Sequence, residues 1–262
     1  MTKKKITEAV TSNDPKTRRW RSLFASGRMA YGVAEFRQAE SLLARALELA
    51  SELPEKTFAV NATEIGTAAI MIAEKRPKEA IARLEKSMND LSNYGDSTHK
   101  ELLAVALRFH AQALTDQGMD RDAENELKKS LEILKALGSD ARVQYAYSLC
   151  DLGGLYLRQG RHSEAGNHIL NGLQIVCEEL GPESAEYTRA DMIYQPCLPM
   201  SEATRMEIAS DAMEKMQYVF GYNHPNIERA LRGYLQVLEK RGDKEKIEET
   251  QKRFGIPTAG KH

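Results

Sequence analysis

Two stretches of the chain, QGMDRDAENELKKSLEIL at residues 117–134 and QGRHSEAGNHILNGLQIV at residues 159–176, share one pattern. The pattern places Ala123 and Ala165 42 residues apart. A third stretch, FRQAESLLARALEL at residues 36–49, has an alanine 84 residues before Ala123, which is twice that spacing. One register that recurs in three segments predicts an array of structural repeats.

The first half of each unit is predicted to be an amphipathic helix. In the unit that begins near residue 143, the apolar or small residues Leu149, Leu152, Gly153 and Tyr156 follow the i, i+3, i+4, i+7 spacing. Gly160, in the Gln-Gly turn that follows, supplies the left-handed conformation with which many helices end. The helix is therefore expected to end at this turn.

A second helix is expected directly after the turn. Ser163 is a candidate N-cap for it. Ala165, Ile169, Gly172 and Leu173 form its inner stripe, in which the two small residues let paired helices approach closely. Each repeat is thus predicted to be a pair of antiparallel helices.

The spacing resembles that of the tetratricopeptide repeat, with its W-x2-L-G-x2-Y and A-x3-F signature. The residues that carry this resemblance are Leu149, Leu152, Gly153, Tyr156, Ala165, Ile169 and Gly172. The 42-residue period and the connectors LGPES at Leu180 and FGYNHPN at Phe220 are similar to the longer, kinesin light chain type of repeat. The resemblance implies an all-α, right-handed superhelical solenoid of about six helix pairs.

Extending the register predicts where these pairs lie. A flexible charged segment is expected at 1–17, a solenoid at 18–255 and a flexible tail at 256–262, with repeats near 18–53, 57–95, 99–138, 142–181, 185–221 and 225–255. Pro196 and Pro199 make the fifth repeat irregular, so it is either a hinge or a decayed repeat. The charged second helix of the sixth repeat is typical of a solenoid cap.

Composition excludes several classes of protein. The 37 Lys and Arg residues against 38 Asp and Glu residues give a formal charge of −1, which disfavours a general nucleic-acid binder. No segment approaches the roughly 18 apolar residues of a membrane span, and the N-terminus has no apolar signal region. Cys150, Cys177 and Cys197 form neither a disulfide framework nor a zinc motif. A cytoplasmic protein without membrane insertion is the simplest interpretation.

The sequence predicts no enzyme, no metal site and no cofactor. Nucleotide-binding, metalloprotease and nucleophile-elbow motifs are absent, and no nucleophile, base and orienting group come together in one pattern. His162 and His168 are six residues apart, a spacing that does not share a helical face. His110 lies in an apolar stripe and is interpreted as a core or groove histidine.

The resemblance implies that the first helix of each pair lines a concave groove. The side chains expected there to bind a partner are Arg21, Phe24, Arg28, Tyr31, Arg108, Phe109, Gln112, Tyr147, Asp151, Arg158, Arg229 and Arg232. Inward positions carry seven cations (Arg21, Arg28, Arg108, Arg158, Arg229, Arg232 and Lys240) and four anions (Glu74, Asp116, Asp151 and Glu239). A mildly basic groove with interleaved aromatic side chains predicts a partner peptide that has acidic and apolar residues.

Three functions fit these expectations. The first is a non-catalytic adaptor or scaffold that binds a protein or peptide in the groove. The second is a regulatory sensor whose superhelix closes on a small ligand or peptide. The third is a self-assembling scaffold, in which the groove of one copy takes the terminal segment of another and produces a homo-oligomer.

Overall fold

A computed structural model describes residues 14–181, residues 242–253 and five isolated positions, 184, 187, 235, 238 and 239. The predicted fifth repeat and much of the sixth lie outside these residues, as do Arg229 and Arg232. The chain divides into two compact units, Met1–Glu179 and Leu180–His262.

The described residues are helical and contain no strand. In the first unit the helices are α1 (Pro15–Gly32), α2 (Phe36–Ala50), α3 (Lys56–Ala73), α4 (Pro77–Leu91), α5 (Ser97–Asp116), α6 (Asp120–Leu137), α7 (Arg142–Arg158) and α8 (His162–Leu180), with a short 3-10 segment at Gly138–Ala141. The second unit contributes α9 (Lys244–Arg253). The predicted all-α class is confirmed.

Each of the first four predicted repeats corresponds to one pair of helices, from α1–α2 to α7–α8, although α3 and α5 begin one and two residues before the predicted bounds. Helix α1 begins earlier than predicted, because Asp14 caps it and accepts a hydrogen bond from the Thr17 amide at 2.9 Å. Residues 15–17 therefore belong to the first helix and not to a flexible segment. Pro15 occupies the first turn, where its missing N–H costs nothing.

The turn inside each described pair contains one residue with a left-handed backbone. These residues are Ala34, Lys75, Gly118 and Gly160, with φ between 61° and 77°, and Gly242 before α9 has a φ of 70°. At the Gln-Gly turns 117–118 and 159–160, the glycine thus adopts the left-handed conformation that the sequence predicts. In the other two turns of the first unit, a residue with a side chain takes the conformation that favours glycine.

The beginning of α8 differs from the prediction. The helix starts at His162, and the amide of Ala165 donates to the carbonyl of Arg161 at 3.0 Å. Arg161 therefore occupies the capping position, and Ser163 lies inside the first turn. Residues 159–161 alone separate α7 from α8, two residues fewer than a cap at Ser163 would leave.

The core is built repeat by repeat. Each helix of α1–α7 packs against its neighbour in the chain, and α1, α3, α5 and α7 also pack on one another in succession. In the fourth pair, Gly153 faces the carbonyl of Ala165 and Gly172 faces the carbonyl of Ala146, so the backbones of α7 and α8 lie very close. The small residues thus act as the sequence predicts. In the described part of the chain, no helix combines the length and apolarity needed to cross a bilayer.

Candidate functional site

Five of the predicted groove residues form one cluster on α5 and α7. We call Arg108, Phe109, Gln112, Tyr147 and Asp151 the Arg108 cluster. Arg108 donates from Nη1 to Oδ2 of Asp151 at 3.0 Å, and Gln112 donates from Nε2 to the same oxygen at 2.7 Å. The side chains of Arg108 and Asp151 are each 12% exposed. Consecutive first helices therefore present a largely buried, charged contact on the face predicted to line the groove.

Aromatic rings surround the guanidinium of Arg108. Its central carbon lies 4.3 Å from the centroid of Phe109 and 5.6 Å from that of Tyr147. Both distances are within the range of cation–π attraction, which is stronger where water is excluded. The Nε–H of Arg108 is buried and has no hydrogen-bond partner. The cluster thus combines apolar contact area with an arginine that has a buried N–H donor without an acceptor in the described part of the chain.

Cys150, next to Asp151 in the chain, does not supply a nucleophile to this cluster. Burial, and secondarily the charge of Asp151, raise the pKa of its thiol far above the ordinary value. A thiol in this environment stays protonated at neutral pH and is unreactive. Cys150 instead packs against Gly172 of α8.

The predicted groove residues of α1 have more varied environments. The ring of Phe24 stacks on Trp20 with centroids 5.5 Å apart, and it belongs to the packed cores that join α1 to α3. Tyr31 lies 6.1 Å from Phe36 of α2. Arg21 is half-buried and Arg28 is exposed. Much of the aromatic surface of α1 therefore stabilises the first two repeats.

Ion pairs change the charge expected on the groove face. Arg158 is 51% exposed and pairs with Asp120 at 3.2 Å, away from the Arg108 cluster. The predicted groove carboxylates Glu74 and Asp116 pair with Arg76 and Lys75, two cations that the sequence analysis did not place on this face. Most charges described here therefore have a partner within the protein.

A recurring arginine network was missed by the sequence analysis. At the start of α8, Arg161 makes two hydrogen bonds to Glu164, one to Glu124 of α6 and one to Gln159. Its guanidinium also lies 3.6 Å from the ring centroid of Tyr156. These contacts join two successive second helices at their N-terminal ends.

Arg76 repeats this arrangement at the start of α4. It makes two hydrogen bonds to Glu79, one to Glu40 of α2 and one to Glu74. Arg76 and Arg161 are 85 residues apart, about twice the repeat length. The segments KRPKE at 75–79 and GRHSE at 160–164 carry the only local signal, an arginine three residues before a glutamate.

Two buried histidines belong to the core. His99 is 1% exposed, stacks on Tyr94 at 4.2 Å and contacts Oδ2 of Asp96 through Nδ1 at 2.9 Å. Burial raises the pKa of Asp96, but hydrogen bonds from the amide and ring of His99 outweigh it and hold that pKa below its usual value. His110 is also buried, and its Nδ1 lies 3.9 Å from Oε2 of Glu126. His110 is thus buried, as the sequence analysis expects of a core or groove histidine, but neither of its ring nitrogens has a hydrogen-bond partner among the described residues.

No protein-family model matches the sequence, and no curated protein matches it. Three solved structures resemble the fold. Aspartyl phosphate phosphatase F from Bacillus subtilis is 10% identical with a TM-score of 0.65, covering 98% of this chain and 65% of that chain. A Rap protein complexed with competence and sporulation factor is 14% identical with a TM-score of 0.58, covering 94% and 69%. A putative kinesin light chain of Podosopora anserina with nearly identical tetratricopeptide-like repeats is 15% identical with a TM-score of 0.50, covering 77% and 96%.

The fold is a tetratricopeptide-type helical repeat. This confirms the resemblance on which the sequence analysis relied. In a tetratricopeptide array, the first helices of successive repeats stack side by side, as α1, α3, α5 and α7 do here. The Arg108 cluster lies on α5 and α7, two of these stacked first helices.

Proposed function

We propose that this protein is a non-catalytic interaction module that binds a partner peptide along the first-helix face of its repeats, with the Arg108 cluster as the central contact. The observation that carries the proposal is the juxtaposition of Arg108, Gln112 and Asp151 with the rings of Phe109 and Tyr147 on adjacent first helices. Largely buried arginine and aromatic side chains are the residue types that dominate binding energy at protein interfaces.

The chemistry of the cluster favours a peptide with acidic and apolar residues. Arginine and glutamine donate to carboxylates, and aromatic rings provide rigid apolar area at a small cost in side-chain entropy. The solved Rap protein complexed with competence and sporulation factor has a similar fold, and its ligand supports a role of this kind. The buried, protonated Cys150 fits a cytoplasmic module without catalytic chemistry.

The test is a selection of randomised peptides against the full chain. Peptides of about twelve residues span about 40 Å when extended, enough to contact several first helices. Selected peptides are then titrated, by fluorescence anisotropy, against the intact chain and the variant Gln112→Ala/Tyr147→Ala. The matched control is Glu132→Ala/Lys135→Ala, which changes two exposed residues of the second helix α6.

We expect the cluster variant to bind at least about tenfold more weakly, a loss of about 1.4 kcal/mol, and the control to bind as the intact chain does. Failure to select any peptide, or an equal loss in the control, would contradict the proposal. Circular dichroism of each variant shows that its helices are retained.

The two alternative functions predict different results. A regulatory sensor changes its radius of gyration when the selected peptide is added, which small-angle X-ray scattering measures. A self-assembling scaffold has a mass above that of one chain in light scattering, and the peptide competes with its assembly. An adaptor shows neither effect.

A further inference from the structure

We propose that Arg108 receives a carboxylate of the partner peptide, and that Asp151 is an internal carboxylate that occupies this site when the groove is empty and sets its specificity. This inference rests on the proposed function and identifies the chemistry of its central contact.

The first observation is that Arg108 uses few of its donors. An arginine side chain carries five N–H donors in a planar fork that suits a carboxylate approached by two of them. Arg108 makes one hydrogen bond, from Nη1 to Asp151, while its Nε–H is buried without a partner and its Nη2 makes no hydrogen bond within the described part of the chain. The guanidinium therefore holds Asp151 by a single contact and not by the paired contacts that arginine can make.

The second observation is that two donors converge on one oxygen. Nη1 of Arg108 and Nε2 of Gln112, both on α5, reach Oδ2 of Asp151 on α7 at 3.0 and 2.7 Å. Two donors on one helix that meet on one carboxylate oxygen constitute a carboxylate-binding site. In this structure the chain fills the site with a carboxylate of its own.

Because Arg108 and Asp151 are largely buried, the replacement of Asp151 by a peptide carboxylate matters energetically. Both charged side chains are 12% exposed, so a bare guanidinium at this depth would lose solvation without recovering an ion pair. A carboxylate that replaces Asp151 restores that pair. Because Asp151 is tethered to the same chain, its effective concentration is high, and a lone carboxylate in solution competes poorly with it.

A successful ligand therefore needs a second contact. The rings of Phe109 and Tyr147 lie beside the guanidinium and provide it for an apolar side chain next to the acidic one. The geometry thus favours an acidic residue with an apolar neighbour, and Asp151 excludes ligands that offer the acid alone. Asp151 acts here as a specificity-determining residue.

The test compares two peptides on matched variants. The first is the tightest peptide from the selection above that contains Asp or Glu, and the second is the same peptide with the corresponding amide. Asp151→Asn should bind the acidic peptide at least about tenfold more tightly than the intact chain does, with a much smaller gain for the amide peptide. Arg108→Gln should bind the two peptides equally.

The charge-matched control is Glu132→Gln. It removes one carboxylate from an exposed position on the second helix α6 and leaves the Arg108 cluster intact. We expect it to bind both peptides as the intact chain does. An equal gain in Glu132→Gln would show that net charge, and not Asp151, controls the affinity.

A second variant keeps the test decisive if Asp151→Asn does not fold. Arg108→Gln/Asp151→Asn removes both charges of this ion pair, so neither is left buried without the other. In this variant the preference for the acidic peptide should be lost, and a preference that persists would overturn the inference. Selected peptides without any acidic residue would also overturn it, whereas a selection without any binder contradicts the proposed function itself.

Discussion

A left-handed residue lies at the turn inside each of the first four helix pairs, and two of these residues are not glycine. Ala34 and Lys75 have φ values of 61° and 62°, at which a Cβ atom crowds the following carbonyl. Gly118 and Gly160 adopt the same conformation without this crowding. The turns after α1 and α3 therefore store strain that the turns after α5 and α7 do not.

Replacing Ala34 by glycine is expected to stabilise the protein. Relief of the left-handed strain should raise the free energy of unfolding by about 1 kcal/mol, measured by urea denaturation. Ala25→Gly is the matched control, because Ala25 is an exposed residue inside α1 and its replacement should cost about 1 kcal/mol. Equal destabilisation by both changes would contradict the strain argument.

Glu124 is expected to make folding sensitive to acid. Burial alone would raise its pKa, but hydrogen bonds from Lys128, Arg161 and Tyr156 outweigh this and lower the pKa to about 2, from an ordinary value of 4.5. A carboxyl group with a lowered folded-state pKa contributes stability above the unfolded-state value, and this stability is lost as the pH falls toward the folded-state value. The contribution of Glu124 should therefore disappear between about pH 4.5 and pH 2.

The variant Glu124→Gln tests this directly. It should be about 1–2 kcal/mol less stable than the intact chain at pH 7, and the difference should shrink as the pH falls through this window. The exposed Glu132→Gln on the same helix is the control and should leave the acid limb of the stability curve unchanged. A difference that is constant with pH would show that Glu124 acts through packing.

At the scale of helices, the close approach of α7 and α8 depends on glycine. A Cβ atom built on Gly172 would lie 2.8 Å from the carbonyl oxygen of Ala146 and 2.5 Å from Sγ of Cys150. A backbone carbonyl cannot move away without moving its helix. The glycine therefore sets the distance between the two helices.

Gly172→Ala is expected to lower the free energy of unfolding by about 1–3 kcal/mol, although alanine favours helix by about 1 kcal/mol. Gly66→Ala is the comparison, because its nearest neighbour is the Leu43 side chain at 3.3 Å, which can rotate. It should change stability by less than about 1 kcal/mol. Thermal unfolding followed by circular dichroism measures both, and equal effects would argue against a backbone clash.

Helix pairing could be predicted from sequence, whereas the ion pairs between repeats could not. The apolar stripes and the Gln-Gly turns depend on local spacing, and this is why α7 and α8 lie where residues 142–181 predict them. The contacts of Arg76 and Arg161 join side chains 36 and 37 residues apart, and long polar side chains have many partners within reach. Only the packed geometry decides which partner is taken.

On the predicted groove face, the sequence register predicts which helix each residue lies on, but not which charged side chains pair with each other. The register places Arg108 and Asp151 on neighbouring first helices, but it does not show that they bind each other. The count of charges on this face, seven cations against four anions, treats Arg108 as available to a partner. The structure instead gives it an internal partner, because the two side chains are 43 residues apart and the stacking of α5 on α7 brings them into contact.

At the scale of the first unit, contacts are restricted to near neighbours. Every strongly packed pair of helices among α1–α7 is adjacent in the chain or separated by one helix. In arrays of this kind, stability is approximately the sum of repeat and nearest-neighbour terms. Damage to one repeat should therefore remain local.

Leu43→Ala tests this locality. Leu43 is 1% exposed and packs with Ala30, Ala39 and Ile70, so its truncation should cost about 2–5 kcal/mol. Native-state hydrogen exchange should then accelerate in α1, α2 and α3 while α6 and α7 keep their protection. Leu134→Ala is the reciprocal variant, and uniform acceleration in both would show one cooperative block.

The spacing of Arg76 and Arg161 has a consequence for how such an array can be lengthened or shortened. Each arginine connects the second and fourth helices of a block of four helices. Arg76 connects α4 to α2 in the block α1–α4, and Arg161 connects α8 to α6 in the block α5–α8. The residue before α6 is Met119, so no equivalent contact crosses from one block to the next. The smallest unit that contains a complete arginine–glutamate contact between its second helices is thus two repeats, about 85 residues, and not one. Insertion or deletion of a whole block should preserve the arginine–glutamate contact of each remaining block, whereas a helix pair inserted between the two pairs of one block would separate an arginine from its glutamate.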